Sequence, residues 1–445
     1  MSRPLLTMTL IGRDEKHQIE RCFSSWWDAV DEVVYVDTGS RDGTVAEAKR
    51  FAKERGQPEK LKVGKFQWCD DFAAARQVAD DLATGEFFIW CDLDDTVTGV
   101  DQLRQMCANA GQEVAAFFCH YRYAIDEDGN TISELWRERV VRNDGTQWTG
   151  RLHEHKLITR GHVIQVDPNT ADWIHHRDHT LRTGERNLRV LQAWDKDEPD
   201  NPRIIQSIAM EYLGMERHQE AADMFQRYLT MPGEPPDRRA QAARHLSVML
   251  MLQNRVFDAR GVAMQSLQEL WGWADTHLTL AEVAQTIGRP DEGFVHAKQA
   301  FELGKPNSLL ILNPVQYTAH PLALMALCLG QMGRLDEAVE KLDECLRIAP
   351  HYALALQQQG PLLSQLRKNR AALAWLASAE TLVEAGEVVK ARALLDLAPW
   401  YVMQDERLIR RRGDLFRLIG DRQHNPPVSA EDADASAFAE RLAAA

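Results

Sequence analysis

The amino-acid sequence predicts an α/β part with a mostly parallel sheet, followed by an all-α part built from helical repeats. Two observations predict this fold class. In the first half, short apolar runs alternate with segments of helical spacing, which is typical of strands joined by crossover helices. After residue 202, nearly every segment has helical spacing, and similar segments recur at intervals typical of repeats.

The elements of the first half can be predicted in order. Four short apolar runs predict strands, at residues 5–11, 33–36, 61–66 and 87–91. Residues 44–55 and 71–82 have the apolar spacing of helices, and apolar residues between 19 and 27 recur at the same spacing. Because strands and helices alternate with short connections, we expect a parallel sheet with right-handed crossovers.

Composition limits the possible classes of protein. With 445 residues, 44% of them hydrophobic, the chain is long enough for two or three domains with substantial cores. Its 66 acidic and 52 basic residues give a net charge of -14. This charge disfavours an extended surface for nucleic-acid phosphates but leaves room for a local basic site.

The cysteines and the apolar runs bear on the compartment. None of the seven cysteines belongs to a C-x-x-C pair, and several lie in apolar runs, as buried free thiols do. Residues 5–11 are too few for a signal peptide, and no run reaches the roughly 18 apolar residues that a membrane span needs. We therefore expect a cytoplasmic protein.

An acidic segment follows the most apolar predicted strand. Residues 87–91 lead into Asp92, Leu93, Asp94 and Asp95, so the carboxylates fall at the carboxyl end of the strand, where open α/β sheets bind ligands. Asp92 and Asp94, with Asp95 beside them, offer the oxygen ligands that Mg²⁺ and Mn²⁺ prefer. The alternative is a solvated acidic turn without a ligand.

The turn after the second predicted strand contains two glycines, Gly39 and Gly43, that permit tight or positive-φ turns. Asp42 or Thr44 is placed to cap the following helix. Asp37 remains at the strand tip, where it either contacts a base or ribose or accepts hydrogen bonds from the backbone of the turn. The absence of G-x-G-x-x-G after a strand disfavours a dinucleotide site of the Rossmann type.

Four linked segments together resemble glycosyltransferase family 2, whose catalytic domain has the GT-A fold. They are residues 7–15, 36–44, 70–76 and 90–95, in the order and spacing of the family. The resemblance implies a hexosyltransferase-type enzyme with an α/β GT-A nucleotide-sugar-binding domain. It also implies a divalent metal, Mn²⁺ or Mg²⁺, on the diphosphate of a donor such as a UDP-sugar. Asp14 and Gln77 stand where many relatives carry asparagine.

The resemblance also implies roles for individual residues, with Asp37 at the base and Arg76 at the nucleotide. The full implied donor set is Thr9, Ile11, Asp14, Asp37, Arg76, Asp92 and Leu93. The implied metal set is Asp92 and Asp94, with His175 or His176 as a later imidazole ligand. Because neighbouring strand residues point to opposite faces, only one histidine is expected to face the metal. The alternative for each is a structural histidine.

A later segment resembles the acceptor side of the same family and contains Trp148, Gly150, His153 and Glu154. Gly150 permits close approach of the backbone to a ligand. We predict that Glu154 is the general base of an inverting transfer, lying across the sugar from the metal. The alternative for Glu154 is a surface salt bridge. The next candidates for the base are Asp126, Glu127 and Glu134.

The second half resembles tetratricopeptide repeats. Residues 288–293 and 333–338 match each other, and each segment precedes an amphipathic helix that ends at Pro306 or Pro350. Residues 317–350 form one unit of about 34 residues, the length of this repeat. We expect about five or six helical pairs between residues 203 and 420, stacked into a superhelix with a concave groove. A generic helical bundle is the alternative.

The predicted domain organisation follows from these segments. Residues 1–185 form the GT-A domain, 186–202 a linker or connecting helix, 203–420 the all-α tetratricopeptide-like repeats, and 421–445 a mobile, acidic, alanine-rich tail. The favoured function is inverting, metal-dependent transfer of a sugar to a protein or peptide held by the repeats, on Ser, Thr or Cys. The alternatives are transfer to a glycan or a modified DNA base, and a repeat scaffold whose catalytic domain is vestigial.

Overall fold

The computed structural model of the chain describes residues 3–127, 129–176, 184–397 and 406–422. These residues belong to two compact units, Met1–Pro321 and Leu322–Ala445. The first unit contains the β-sheet and the helices as far as residue 321. From residue 423 onward, the tail predicted at residues 421–445 lies outside the described residues.

The first unit is built around a mixed, mostly parallel β-sheet. Its strands are β1 (Leu6–Gly12), β2 (Glu32–Asp37), β3 (Leu61–Lys65), β4 (Phe87–Trp90), β5 (Asp95–Thr98), β6 (Val114–Ile125), β7 (Thr131–Arg142), β10 (His162–Gln165) and β11 (Asp172–His175). Two more strands, β8 (Trp148–Thr149) and β9 (His155–Lys156), pair only with each other. The order across the sheet is β3-β2-β1-β4-β7-β6-β11-β5, with β10 also beside β6. The first four strands in this order are parallel, as the alternation of elements predicted.

Four helices accompany this sheet: α1 (Ile19–Ser24), α2 (Thr44–Glu54), α3 (Phe72–Leu82) and α4 (Val100–Ala108). Asp71 caps α3 by accepting a hydrogen bond from the N–H of Ala74 at 2.9 Å. The apolar residues between 19 and 27 form a short α-helix flanked by 3-10 turns. A single helix face cannot bury two adjacent tryptophans, and both Trp26 and Trp27 lie in the core.

The strand register places the carboxyl ends of β1, β2 and β4 at one edge of the sheet. Gly12 at the end of β1 pairs with Asp37 at the end of β2. Thr9 pairs with Trp90 at the end of β4. The acidic segment after β4 therefore emerges beside the turn that follows β2, at the edge where α/β sheets bind ligands.

Twelve further helices follow β11 in the described part of the chain. They are α5 (Gly184–Asp197), α6 (Pro202–Gly214), α7 (His218–Leu229), α8 (Pro236–Leu252), α9 (Val256–Glu269), α10 (Ala274–Thr286), α11 (Pro290–Leu303), α12 (Ala319–Gln331), α13 (Leu335–Ile348), α14 (Ala353–Glu384), α15 (Val388–Asp396) and α16 (Glu406–Arg422). Consecutive helices pack as pairs, for example α6 with α7, α8 with α9 and α14 with α15. Gly288 and Gly333, matched in the sequence, both have positive φ, 74° and 72°, directly after a helix, as C-terminal glycines do. No helix in the described ranges has the length and apolar character to cross a membrane.

The predicted linker at residues 186–202 lies inside the first unit. α5 covers most of it, and Leu191 and Trp194 of this helix share one apolar cluster with Leu152 and with Ile204 of α6. Because this cluster is continuous from the β8–β9 hairpin into α6, the change in composition does not separate two compact units. That division falls after residue 321.

Candidate active site

The acidic turn after β4 is closed by its own groups. The carboxylate of Asp95 accepts a hydrogen bond from the N–H of Asp92 at 3.1 Å, and the N–H of Asp95 donates to the carbonyl of Asp92 at 3.0 Å. Leu93 is buried, 2% exposed, and lies against Gly12, where an added Cβ would overlap Leu93 Cδ1. The turn is therefore anchored in the core by Leu93, with Asp94 at the sheet edge.

Asp94, Asp95 and His175 form a cluster with the geometry of a metal site. One ligand atom of each lies within 4.8 Å of the others. His175 Nδ1 is 3.0 Å from Asp95 Oδ1 and 3.5 Å from Asp94 Oδ1. β11 brings the histidine there because it runs antiparallel to β5, with His175 opposite Asp95. Two carboxylates and an imidazole are a donor set that fits a divalent cation.

The charges in this cluster depend on one another. Burial raises the pKa of Asp94 to about 7, and the negative charges of Asp92 and Asp95 act in the same direction. Burial lowers the pKa of His175, but its hydrogen bond to Asp95 and the charge of Asp94 outweigh burial and raise the pKa. Without a metal, protons on Asp94 and His175 offset the negative charge of the carboxylates. A cation bound here would offset that charge instead.

The two other residues predicted to bind the metal have different partners. Asp92 forms an ion pair with Arg76, with 2.5 Å between Oδ1 and Nη2. Burial acts to raise the pKa of Asp92, but Arg76 and Arg139 hold this pKa at about 2. His176 Nε2 is 2.8 Å from Thr96 Oγ1. Neither residue belongs to the cluster, whose third member is Asp95.

Arg76 is the buried centre of the site, on α3 and 4% exposed. Its Nη2 meets Asp92, and its Nε lies 2.5 Å from Glu154 Oε1. The guanidinium carbon lies 4.5 Å from the ring centre of Trp90 and 5.3 Å from that of Trp148, which adds cation–π attraction. Arg76 thereby links the acidic turn to the predicted acceptor-side segment.

Glu154 and the acidic turn both contact Arg76. We expected Glu154 across the sugar from the metal, and in the structure it binds the same guanidinium as Asp92. The reason is that the β8–β9 hairpin folds over α3, where the N–H of Phe72 donates to the carbonyl of Arg151 at 2.9 Å. Glu154 is 9% exposed, and its Oε2 makes no hydrogen bond within the described residues.

The other predicted acceptor-side residues lie in the same hairpin. Trp148 donates from Nε1 to Asp80 Oδ2 at 2.7 Å, and the same oxygen lies 2.6 Å from Lys156 Nζ. Gly150 has φ of 92°, which favours glycine. His153 has φ of 55°, and 48% of its side chain is exposed.

The predicted donor-binding residues fall into two groups apart from Arg76 and the acidic turn. Thr9 and Ile11 are buried within β1, 3% and 8% exposed. Asp37 accepts a hydrogen bond from the N–H of Ser40 at 3.0 Å, as the backbone alternative for this residue describes. Asp14 Oδ1 accepts from the N–H of Arg41 at 2.6 Å. Both carboxylates therefore shape the turn between β2 and α2.

Sequence reasoning missed Arg139, which has no exposed surface. Its Nη2 lies 3.3 Å from Asp95 Oδ2, and its guanidinium carbon lies 3.9 Å and 4.1 Å from the ring centres of Trp90 and Tyr121. A signal was present in the sequence. Arg137 and Arg139 are two residues apart in a segment that forms β7, and alternate strand residues share a face.

Comparison with known proteins identifies the protein family of the region that contains the β-sheet. The family model described as Glycosyl transferase family 2 matches residues 13–177. These residues are therefore a glycosyltransferase family 2 domain, and the resemblance stated from the sequence is confirmed. The predicted fold class is confirmed as well, a mostly parallel α/β domain followed by helical repeats.

Individual relatives match both parts of the chain. A TPR repeat-containing protein of Synechococcus elongatus is 28% identical over 279 residues, which cover 59% of this chain and 66% of the relative. The SPbeta prophage-derived glycosyltransferase SunS of Bacillus subtilis is 20% identical over 262 residues, covering 57% and 61%. The chain thus spans less than two thirds of the length of either relative. Among solved structures, a thermophilic TPR protein of Thermus thermophilus is 20% identical, with a TM-score of 0.32, and covers 40% of this chain and 90% of that one.

Proposed function

We propose that the chain is an inverting glycosyltransferase that moves a sugar from a nucleotide-sugar, a UDP-sugar, to an acceptor. The observation that carries the proposal is the Arg76–Asp92 ion pair beside the Asp94, Asp95 and His175 cluster, within a family 2 domain. When the sugar leaves a nucleotide diphosphate, negative charge grows on the diphosphate. Positive groups fixed at this edge stabilise that charge.

The residues of the candidate site have different proposed roles in binding the donor. A divalent cation held by Asp94, Asp95 and His175 would supply Lewis-acid stabilisation of the diphosphate. Arg76 orients Asp92 and Glu154, and the rings of Trp90 and Trp148 shield this ion pair from water.

Glu154 is proposed as the general base. It comes from the β8–β9 hairpin, whereas the cluster comes from β11, β5 and the turn before β5. Arg76 occupies Oε1 of Glu154, and Oε2 remains available to take the proton of the acceptor. The contact with Arg76 gives Glu154 a second possible role, to position the guanidinium, and the two roles predict different kinetics.

The acceptor is proposed to be a protein or peptide, modified on Ser, Thr or Cys. The support for this is the succession of helix pairs after the catalytic domain. Stacked helical repeats present extended surfaces that bind polypeptides. The net charge of -14 argues against DNA as the acceptor.

The test is a panel of nucleotide-sugars offered to the full chain, scored by donor hydrolysis and by thermal protection, with Mn²⁺ or with EDTA. We expect one UDP-sugar to be cleaved and to raise the melting temperature, both more strongly with Mn²⁺. Asp94→Ala should abolish cleavage. Asp291→Ala removes an exposed carboxylate on α11 and should behave as the unchanged chain. A folded chain that neither binds nor cleaves any donor contradicts the proposal.

A further inference from the structure

A cavity of about 230 Å³ lies between the β-sheet and the loop that joins α11 to α12. Residues 134–136 of β7 and Gln165 of β10 line it on the sheet side, and loop residues between 305 and 312 line it on the other. All of them belong to the first unit. None of these residues takes part in the candidate active site, so the cavity is a separate concave site.

The loop over the cavity is fixed at both ends and in the middle. Leu312 and Glu134 exchange two backbone hydrogen bonds of 2.8 Å. Lys305 forms an ion pair with the side chain of Glu134. Between them, Ser308 donates to Asp237 of α8 at 2.9 Å. Because the loop is bonded both to β7 and to α8, the cavity is already formed without a ligand, as most small-molecule sites are.

The charged groups beside the cavity neutralise one another. Glu134 pairs with Lys305 through one oxygen, and its other oxygen lies 3.0 Å from His120 Nε2. His120 Nδ1 lies 2.7 Å from Asp172. Burial opposes the charged ring, but the two carboxylates raise the pKa of His120 to about 9. Each charge thus has an opposite charge as its partner, and the cavity favours a neutral ligand.

Uncharged polar groups of the cavity wall have no partner in the described part of the chain. Trp136 Nε1 and the side-chain amides of Gln165 and Asn307 form no hydrogen bond there. The ring of Trp136 is half-buried, and its centre lies 5.5 Å from that of His120. An indole N–H donates, whereas an amide both donates and accepts. The wall therefore offers hydrogen bonds of both directions beside an aromatic ring.

These properties match the chemistry of a sugar. A neutral sugar ring has hydroxyls that donate and accept, and C–H groups that pack against an aromatic face. The volume of about 230 Å³ is below the roughly 300–1,000 Å³ of pockets for larger ligands, which suits a single ring. We propose that this cavity binds one neutral sugar residue through Trp136, Gln165 and Asn307.

Strand β7 connects the cavity to the loop that carries Glu154. Trp136 precedes Arg137, whose Nη2 donates to the carbonyl of Glu154 at 2.6 Å. Glu138 accepts a hydrogen bond from the N–H of Lys156 at 3.1 Å. This proximity along β7 supports the acceptor as the molecule that carries the sugar. That assignment rests on the proposed function, whereas binding of the sugar itself does not.

The test is saturation-transfer difference NMR of the full chain, without nucleotide or metal, with the methyl glycosides of glucose, galactose and N-acetylglucosamine. We expect at least one glycoside to bind. Replacing Gln165 and Asn307 together by alanine should weaken it about fivefold or more, because two hydrogen-bonding amides are lost. Both residues are exposed, so the double variant should fold. Asn109→Ala removes an exposed amide at the end of α4 and should leave the affinity unchanged.

Trp136 provides a second set of variants. Trp136→Ala removes the ring and its N–H and should abolish binding, whereas Trp136→Phe keeps an aromatic ring and should weaken binding less. The control is Trp271→Ala, at a tryptophan that is 74% exposed and outside the cavity, which should bind as the unchanged chain does. Circular dichroism checks the folding of each variant. If Trp136→Ala does not fold, the double amide variant decides.

The source of the sugar is decided by a short serine peptide that carries it, compared with the bare peptide. Tighter binding of the glycopeptide than of the methyl glycoside supports a sugar on the acceptor, and weaker binding supports a free saccharide. Equal binding of the bare peptide and the glycopeptide overturns the sugar site.

Three other results overturn the proposal as well. They are no binding of any glycoside, equal losses in the double amide variant and Asn109→Ala, and displacement of the glycoside by saturating UDP with Mn²⁺. Displacement would place the glycoside in the candidate active site. All of these results are independent of whether the chain cleaves a nucleotide-sugar, so the proposed function and the sugar site can fail separately.

Discussion

Arg139 and Asp95 form an ion pair in which neither side chain has any exposed surface, with 3.3 Å between Nη2 and Oδ2. Asp95 also accepts a hydrogen bond from Tyr121 at 2.9 Å and lies 3.0 Å from His175 Nδ1. Nε and Nη2 of Arg139 have no hydrogen-bond partner in the described part of the chain. Arg139 therefore acts as a buried counter-charge to Asp95 in the cluster of Asp94, Asp95 and His175.

Arg139→Met should destabilise the chain by about 3–5 kcal/mol, because it leaves Asp95 buried without its counter-charge. Urea unfolding without metal measures the loss. Mn²⁺ should restore more stability to Arg139→Met than it adds to the unchanged chain, because the cation replaces the missing charge. Arg122→Met, in the same hairpin but 22% exposed, should cost less than about 1 kcal/mol. Equal losses in both variants would argue against the counter-charge role.

His175→Gln should weaken Mn²⁺ binding, measured by calorimetry in the presence of UDP, by about tenfold to a hundredfold, because it removes the imidazole of the cluster. The matched control is His176→Gln. That residue is adjacent in sequence, yet its ring contacts Thr96 and lies outside the cluster. Similar losses in the two variants would place the metal elsewhere.

Glu154→Gln should lower the rate of sugar transfer about 10²-fold or more and leave the affinity for UDP unchanged, because glutamine keeps the shape but loses the basic oxygen. Transfer kinetics and UDP calorimetry together measure the two effects. If UDP affinity falls while the rate persists, Glu154 acts by positioning Arg76. The proton acceptor is then another residue.

Stability should fall as the pH rises from about 6.5 to about 9, by up to about 3 kcal/mol, through His120. Its Nδ1 lies 2.7 Å from Asp172 and its Nε2 3.0 Å from Glu134. Burial opposes the charged ring, but these carboxylates raise the pKa of His120 to about 9. A histidine whose pKa is raised in the folded state contributes its full stabilisation at pH values below its unfolded pKa. That stabilisation is lost as the pH rises through its folded pKa.

Urea unfolding at several pH values measures this slope. The other charged groups in this network are Lys305, which contacts Glu134, and Arg122, 4.0 Å from Asp172. His120→Gln should remove the part of the slope that belongs to the histidine. A slope that is unchanged in this variant would assign the pH dependence to other groups.

A chain that ends at residue 202 should aggregate or fail to fold. It would expose Leu191 and Trp194, which share an apolar cluster with Ile204 and Ile208 of α6. Size-exclusion chromatography and circular dichroism beside the full chain measure the outcome. A soluble, folded fragment would show that the predicted linker is a working domain boundary.

Local patterns predicted the sheet edge well, because the apolar runs of β2 and β4 stop abruptly at acidic residues. The acidic turn followed from the same pattern. The choice between His175 and His176 did not, since it depends on the register of β11 against β5, and these strands are some eighty residues apart in sequence. The alternation of side chains along a strand predicted that only one of the two histidines faces the cluster. The pairing of β11 with β5 shows that it is His175.

Contacts between distant segments were outside the reach of sequence patterns. Arg76 and Asp92 belong to neighbouring predicted elements, but the approach of Glu154 requires the β8–β9 hairpin to fold over α3. Likewise, the composition change near residue 200 marks where strands give way to helices. It does not report that α5 and α6 complete the apolar cover of that hairpin.

The contact between Gly12 and Leu93 has a consequence for natural variation and for engineering. Gly12 touches no predicted ligand, yet any side chain there would collide with Leu93, which is buried and has little space to move. Alanine at position 12 should therefore shift the backbone between Asp92 and Asp94 and misplace the carboxylates. Random mutagenesis scored for catalysis should therefore favour glycine at this position, which a search confined to ligand-contacting residues would overlook.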